Sequence, residues 1–372
     1  MKFETKAVHV GSHPDTETGG IAPPLQLATT FERTAEGEAS RGFDYIRDAH
    51  PTQTRLEAAL AAIDSASHAL AFASGLAAGA ALMQSLPAGS HVVLPDDSYY
   101  GMRNLALEYF PQWNLEASFA DMADLAAVRA AMRANTKLIW GETPSNPLMK
   151  VSDIAGLASI AHESKALLGV DSTFATPALQ RPIELGADLV LHSMTKYLGG
   201  HSDVMGGSLA FAKHDELAQR VEHTRHLTGG IASPFNCWLV HRGIRTLAPR
   251  MRVHCANARA IAEFLASHPN VEAVHYPGLA GDPGHAIAKK QMSDYGGMLS
   301  FRVRGGRAEA LAVTAKVKVF TRATSLGGVE SLVEHRASSE GPTSRTPENL
   351  LRMSVGLEHV EDLVEDLKAA LR

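Results

Sequence analysis

From residue 50 onward the chain alternates two kinds of apolar pattern. One recurs every three or four positions: in "PTQTRLEAALAAI" the side chains of Leu56, Leu60 and Ile63 share one face and Pro51 suits a first turn, so a helix is predicted. The other is a short, mostly apolar run, as in "HALAF", "HVVLP", "LEASF", "KLIWGE", "ALLGVD" and "ADLVL". Runs without polar alternation are strands buried on both faces, which points to a mostly parallel sheet covered by helices. Helical patterns separate them: "SGLAAGAALMQSL", "YGMRNLALEYF", a segment after Asp121 and another after Ser152. "GSLAFA" closes the series and is expected as an antiparallel edge strand.

After about residue 245 the rhythm changes to a long helix, "MRVHCANARAIAEFLASH", then "VEAVHYP", "GGMLSFRV", a helix, "LLRMSV" and a last helix "HVEDLVEDLKAAL". The expected organisation is an extended N-terminal arm over residues 1–49, a doubly wound α/β domain over 50–245 and a smaller α+β domain over 246–372. The arm, without periodicity, is expected to reach a neighbouring subunit. A chain of 372 residues is long enough for two such domains. The uncharged stretch over residues 65–95 is long enough to suggest a membrane span. His68, Ser74, Gly75, Gln84, Pro87 and Gly89 interrupt it, so it reads as strand, helix and strand in a globular core.

Charge and cysteine content narrow the classes. The formal net charge is −5 and the basic residues are scattered, which leaves no footprint for nucleic acid. Only Cys237 and Cys255 occur, which argues against a disulfide framework and for a reducing compartment. With no apolar segment near the start that would serve as a secretory signal, a cytoplasmic location is expected.

In a doubly wound sheet, ligands bind beyond the carboxyl ends of the strands, and five strand ends here carry suggestive groups. "AFASGLAAGAA" passes from strand to helix through Ser74 and Gly75, leaving unpaired helical N–H groups that suit a phosphate; a plain tight turn is the alternative. "LLGVDSTFATP" ends a strand at Asp171, whose carboxylate needs a partner, and a pyridinium nitrogen or a helix cap would serve. "LVLHSMTKY" supplies Lys196 between Ser193 and Thr195; a desolvated lysine forms Schiff bases, although a lone lysine more often snorkels at the surface. "PDDSYYG" offers Tyr99 and Tyr100 for stacking or for the core, and "GETPSNP" places Asn146 in the same neighbourhood. Each is weak alone, but together they supply what pyridoxal phosphate chemistry requires: an amine, a carboxylate, an aromatic face and a phosphate seat.

The chain resembles the Cys/Met-metabolism family of fold-type I pyridoxal phosphate (PLP) enzymes, which contains cystathionine γ-synthases, cystathionine lyases and methionine γ-lyases. The resemblance runs from "VHVGSHPDTETGGIAPP" through "YIRDAHPTQTRLE", "AFASGLAA", "ETPSNP", "VDSTFATP", "HSMTKYLGGHSDVMGG" and "SLGGVESLVEH" to "LLRMSVGLEHVEDL". It implies that Lys196 attaches the cofactor, that Asp171 pairs with its ring nitrogen, and that Tyr99 stacks on the ring and serves as acid or base. It assigns the phosphate to Ser74, Gly75, Leu76, Ser193 and Thr195, puts Thr173 and Asn146 beside the cofactor, and gives Asn146, Ser325 and Arg352 to the substrate, with Arg352 on its carboxylate. Tyr45 and Arg47 are implied to reach the phosphate of an adjacent subunit, making a homodimer the catalytic unit within a homotetramer.

Three positions depart from common patterns of the family. His50 stands where Asn is usual and reads as a neutral change in a turn. Gly101 replaces a cysteine of methionine γ-lyases, and Thr324 a glutamate of many cystathionine enzymes. The activity implied is trans-sulfuration on sulfur amino acids or an O-acylhomoserine: γ-replacement, or β- or γ-elimination as in a C–S lyase. An aminotransferase and a non-catalytic homologue are the rivals. A metal site from His192, His201 and Asp203 is disfavoured, because their spacing makes no helical i, i+4 pair.

Overall fold

The computed structural model describes every residue except Thr343. Among the described residues, twelve strands form two sheets. The first holds β1 (His68–Phe72), β2 (His91–Pro95), β3 (Glu116–Ala120), β4 (Thr136–Glu142), β5 (Leu167–Asp171), β6 (Leu189–Ser193) and β7 (Gly207–Phe211) in the order β1-β7-β6-β5-β4-β2-β3. All its ladders are parallel except those of β7, which runs antiparallel to both β1 and β6. The expected antiparallel strand is therefore present but not at the edge. Every residue of β7 is buried, as an interior position demands, while β3 at one edge leaves Glu116 exposed. Helices Gly75–Gln84 and Ile154–Glu163 cover opposite faces around buried Trp140 and Leu168. The stretch over residues 65–95 is strand, helix and strand, and among the described residues no helix is long and apolar enough to cross a membrane.

The second sheet contains β8 (Val271–His275), β9 (Met298–Val303), β10 (Thr321–Arg322), β11 (Leu332–His335) and β12 (Leu350–Ser354) in the order β10-β11-β12-β9-β8. Its ladders are antiparallel except β10 with β11. Helices Leu247–Ser267, Arg307–Lys316 and Val360–Ala370 pack on it through Ile261, Val313, Leu363 and Leu367. Two helices that follow the first sheet in chain order, Glu216–Thr228 and Pro234–Ile244, have no counterpart in the apolar pattern. The first is too polar, "ELAQRVEHTRHLT", to show a clean stripe.

The N-terminal region is not extended throughout. Residues Phe3–His9 form a helix, and its Ala7 is buried with Leu56 and Leu60 of the chain's own helix Pro51–Ile63. Beyond it the segment runs exposed across the surface, with single antiparallel bridges between Thr30 and Tyr45 and between Arg33 and Ala39. His50 is more than a turn residue: it is fully buried and its Nδ1 accepts the Thr52 N–H at 3.3 Å, capping helix Pro51–Ile63.

One ion pair ties the edge strand to the helices on either side. Glu57 Oε1 accepts from Arg225 Nη1 at 2.5 Å and from the Ala71 N–H at 2.8 Å, and Arg225 Nη1 also reaches the Ala71 carbonyl at 2.9 Å. The Arg225 side chain is 2% exposed, so removing its partner would leave a buried charge. Glu57→Gln is expected to cost about 3 kcal/mol of folding stability, measured by denaturant unfolding. A loss below about 0.5 kcal/mol would show that the pair is not structural.

Candidate active site

The carboxyl ends of β1, β2, β4, β5 and β6 open into one cavity of about 610 Å³, closed on the far side by residues around β11 and β12. Lys196 follows β6 in a tight turn, with its N–H on the Ser193 carbonyl at 3.1 Å and its carbonyl taken by the Gly200 N–H at 2.8 Å. Its Nζ points into the cavity and donates to Ser325 Oγ at 2.6 Å. Burial first, and then the Arg352 charge, pull this amine from the ordinary lysine value of 10.5 to about 8. It is far from a snorkelling surface lysine.

Asp171 ends β5 and faces Glu142, its neighbour in the parallel ladder at the end of β4. Burial, and then the neighbouring Asp171, push the Glu142 carboxyl well above the ordinary range. The Asp171 carboxyl is also raised by burial, but the Thr173 N–H at 3.0 Å and the charge of His192 oppose that rise. Two adjacent carboxylates do not both ionise readily, and of the two it is Glu142 that burial and repulsion raise further, so the proton of the pair favours Glu142 over Asp171. His192 supports this division: burial lowers its pKa, but Asp64, bonded to its Nε2 at 2.9 Å, and then Asp171 carry it above the ordinary value.

The turn from β1 into helix Gly75–Gln84 provides an anion seat. Ser74 caps the helix by accepting the Ala77 N–H at 3.0 Å, and the intrahelical ladder begins with Ala78 on the Ser74 carbonyl. The N–H groups of Gly75 and Leu76 are left for a ligand. A Cβ at Gly75 would lie 3.1 Å from the Ser193 Cβ, and one at Gly207 would lie 2.2 Å from the Ser74 carbonyl oxygen, so close backbone approach requires glycine at both. Ser193 and Thr195 line the cavity; the Thr195 hydroxyl also bridges the Gly206 N–H at 3.1 Å and carbonyl at 3.2 Å.

Tyr99 precedes helix Tyr100–Glu108, with its N–H on Glu142 Oε2 at 2.7 Å; the residue is 43% exposed and lines the cavity. The ring folds over Gly101, where a Cβ would meet Tyr99 Cε1 at 2.5 Å. Glycine at 101 is therefore what this placement of Tyr99 requires. Across the cavity, Arg352 on β12 is 4% exposed and donates from Nη1 to Asn146 Oδ1 at 3.0 Å, and from Nη2 to Glu334 Oε2 at 2.5 Å and the Ser325 carbonyl at 3.2 Å.

The structure thus brings Lys196, Asp171, Tyr99, Ser74, Gly75, Leu76, Asn146, Thr173, Ser193, Thr195, Ser325 and Arg352 to one cavity. Tyr45 and Arg47 do not line it; they lie on the exposed N-terminal segment, with the Arg47 guanidinium 5.6 Å from the Tyr45 ring centre. His192, His201 and Asp203 do not converge, since His192 bonds Asp64 and His201 Nδ1 bonds the Gly199 carbonyl at 3.0 Å. Among the described residues, metal-type donors converge only at His68, His214 and Glu222, at the opposite end of β1. Sequence reasoning overlooked Glu142, which the strand-end rule applied to "KLIWGE" would have found. It also overlooked Glu334 and Arg336, which read as ordinary polar residues.

A low-pKa amine, a carboxylate facing the same cavity, an aromatic ring and a glycine-lined helix start fit pyridoxal phosphate as a donor set. The profile of the family described as "Cys/Met metabolism PLP-dependent enzyme" matches residues 4–372. The chain belongs to this family. Its cofactor is accordingly pyridoxal phosphate, and its activity that of a PLP-dependent trans-sulfuration enzyme. The chain is 47% identical to a cystathionine γ-synthase of Mycobacterium leprae, covering 99% of this chain and 96% of that one. It is 42% identical to a cystathionine β-lyase of Coxiella burnetii, covering 99% and 97%. The crystal structure of MetB from Corynebacterium glutamicum superposes with a TM-score of 0.97 at 43% identity, covering 100% of this chain and 98% of that one.

For this family member, the amine at about 8 sets a pH dependence with a defined sign. Only neutral Nζ attacks a carbonyl carbon, so the rate at which cofactor-free protein takes up pyridoxal phosphate covalently should rise about tenfold per pH unit below 8 and level off above it. Stopped-flow absorbance between pH 6.5 and 9.5 measures this. A rate still rising steeply above pH 9 would mean that the lysine is not depressed.

Proposed function

We propose that this enzyme catalyses γ-replacement on an O-acylhomoserine, with elimination from sulfur amino acids as the second reading. The observation that carries the site assignment is the double role of Ser325: its Oγ accepts from Lys196 Nζ at 2.6 Å and its carbonyl from Arg352 Nη2 at 3.2 Å. The amine that would move a proton and the guanidinium that would hold a carboxylate are thereby fixed relative to one another. Bound pyridoxal phosphate supplies covalent capture of the substrate amine and a sink for the electrons released at Cα.

The chain's own residues do the rest. Arg352 holds the α-carboxylate in its planar fork and orients the Cα–H toward Lys196. Lys196 Nζ, neutral at mildly alkaline pH, removes the proton from Cα and is placed to return it. Asp171, the less raised carboxyl of the pair, would hold a proton on the cofactor's ring nitrogen. Tyr99 covers the cavity mouth and excludes water from one face. The N–H groups of Gly75 and Leu76 receive the phosphate.

Relatives with synthase and lyase names support trans-sulfuration in common, and the greater identity to the mycobacterial γ-synthases favours replacement. The test offers the purified protein cystathionine, methionine, cysteine, and an O-acylhomoserine with cysteine, and separates pyruvate, 2-oxobutyrate and cystathionine. Cystathionine as the main product supports γ-replacement; pyruvate from cystathionine would replace it with a β-lyase. Arg352→Lys, which keeps charge but loses the fork, should lower kcat/KM about a hundredfold. An effect under threefold would remove Arg352 from the carboxylate role.

We further propose a homodimer as the catalytic unit, with Tyr45 and Arg47 serving the partner's phosphate. Their position on an exposed segment outside their own cavity supports this. Refolding inactive Lys196→Ala chains with inactive Arg47→Ala chains in equal amounts should restore about a quarter of native activity, because half the dimers gain one intact site. No recovery would mean that each chain completes its own site.

A further inference from the structure

The cavity carries a second guanidinium for which the reaction above has no use. Arg336 begins the short helix Arg336–Glu340, is 6% exposed and lines the cavity. Its Nε donates to Glu340 Oε1 at 2.9 Å and its Nη1 to Glu334 Oε1 at 3.4 Å. Its Nη2 makes no hydrogen bond among the described residues. Glu334 gives its other oxygen to Arg352, so one carboxylate spaces the two arginines. Glu340 is held in turn by the hydroxyls of Ser344 at 2.7 Å and Thr346 at 2.8 Å.

The asymmetry of this ladder is informative. Both arginines line the cavity and neither glutamate does. The negative charges stand behind the positive ones, and the face turned toward a ligand is cationic. Burying two arginines and two glutamates is costly, and an apolar wall of equal volume would be at least as stable, so stability alone does not account for the arrangement. The acids that do line the cavity, Glu142 and Asp171, lie at the ends of β4 and β5, where Glu142 accepts the Tyr99 N–H. Near Ser325 the wall offers the hydroxyl of Thr324 and no carboxylate that would welcome a distal ammonium.

We propose that Arg336 seats a second carboxylate, carried on the distal part of the substrate, and so selects acidic substrates over neutral ones. The inference rests on the trans-sulfuration reading for the substrate's near end, where Arg352 holds the α-carboxylate. At the far end the free Nη2 of Arg336 supplies a charge-assisted hydrogen bond, and Glu334 and Glu340 fix the plane of its fork.

The test uses the holoenzyme and two amino acids of equal length, 2-aminoadipate, which ends in a carboxylate, and norleucine, which ends in a methyl group. Binding is followed by the change in the cofactor's visible absorbance when each amine is captured. The wild type should bind 2-aminoadipate at least about tenfold more tightly than norleucine. In Arg336→Gln that ratio should fall to near one, and in Arg336→Lys, which keeps the charge, part of it should remain. With cysteine as co-substrate, the kcat/KM ratio of O-succinyl- to O-acetylhomoserine should fall in parallel. A wild type without preference, or a ratio that survives Arg336→Gln, overturns the proposal. If Arg336→Gln does not fold, the wild-type preference and the Arg336→Lys ratio decide. If neither ester reacts, the γ-replacement reading fails, and the absorbance ratios still judge Arg336.

Discussion

A lysine ammonium held beside a buried arginine is an unfavourable arrangement, and much of this cavity is organised around it. Desolvation and the Arg352 charge both destabilise protonated Lys196, and the pull to about 8 records the cost. Ser325 makes the juxtaposition possible by offering an acceptor to each cation from a single residue. Its φ of 80°, a region few side chains occupy, shows that the backbone itself is strained to do so. Glu334 then pairs with the arginine, and its charge raises the lysine by less than Arg352 lowers it.

The opposite wall works by like-charge repulsion. Glu142 and Asp171 stand side by side because parallel strands in register bring their ends level. Repulsion and burial raise both carboxyls, and the hydrogen bonds from Thr173 oppose that rise at Asp171. His192 and Asp64, 128 residues apart in sequence, add a buried charge relation behind Asp171. Each wall therefore sets a protonation state by what it places next to a charge, with no metal-type donors converging there among the described residues.

What could be read from the chain follows from how burial leaves its mark on sequence. Interior strands such as "ADLVL" stand out because both faces are apolar, and a polar group just past such a run, Asp171 or Lys196, is conspicuous. The same rule reaches Glu142, the last residue of the run "KLIWGE" and of β4. It cannot reach β11, whose four buried residues include Glu334 and His335; buried charges that satisfy one another resemble a surface strand. Nor can a one-dimensional pattern say that "GSLAFA" lies between β1 and β6, since strand order is a property of the assembled sheet. Gly101 looked like a missing functional group, and its meaning became visible only with the Tyr99 ring above it.

The antiparallel β7 has a further consequence for the segment "LHSMTKYLGGHSDVMGG". Because β6 and β7 are paired neighbours in the interior of the sheet, the loop that carries Lys196 is a closed staple, with Ser193 and Gly207 paired at its base. Fraying at either edge of the sheet does not release it. The base of the staple opens only when β6 and β7 part, so the opening free energy of that pairing approaches that of global unfolding. Amide exchange in the paired residues of β6 and β7 would accordingly be among the slowest in the chain, and the covalent anchor stands just beyond one of its least yielding parts.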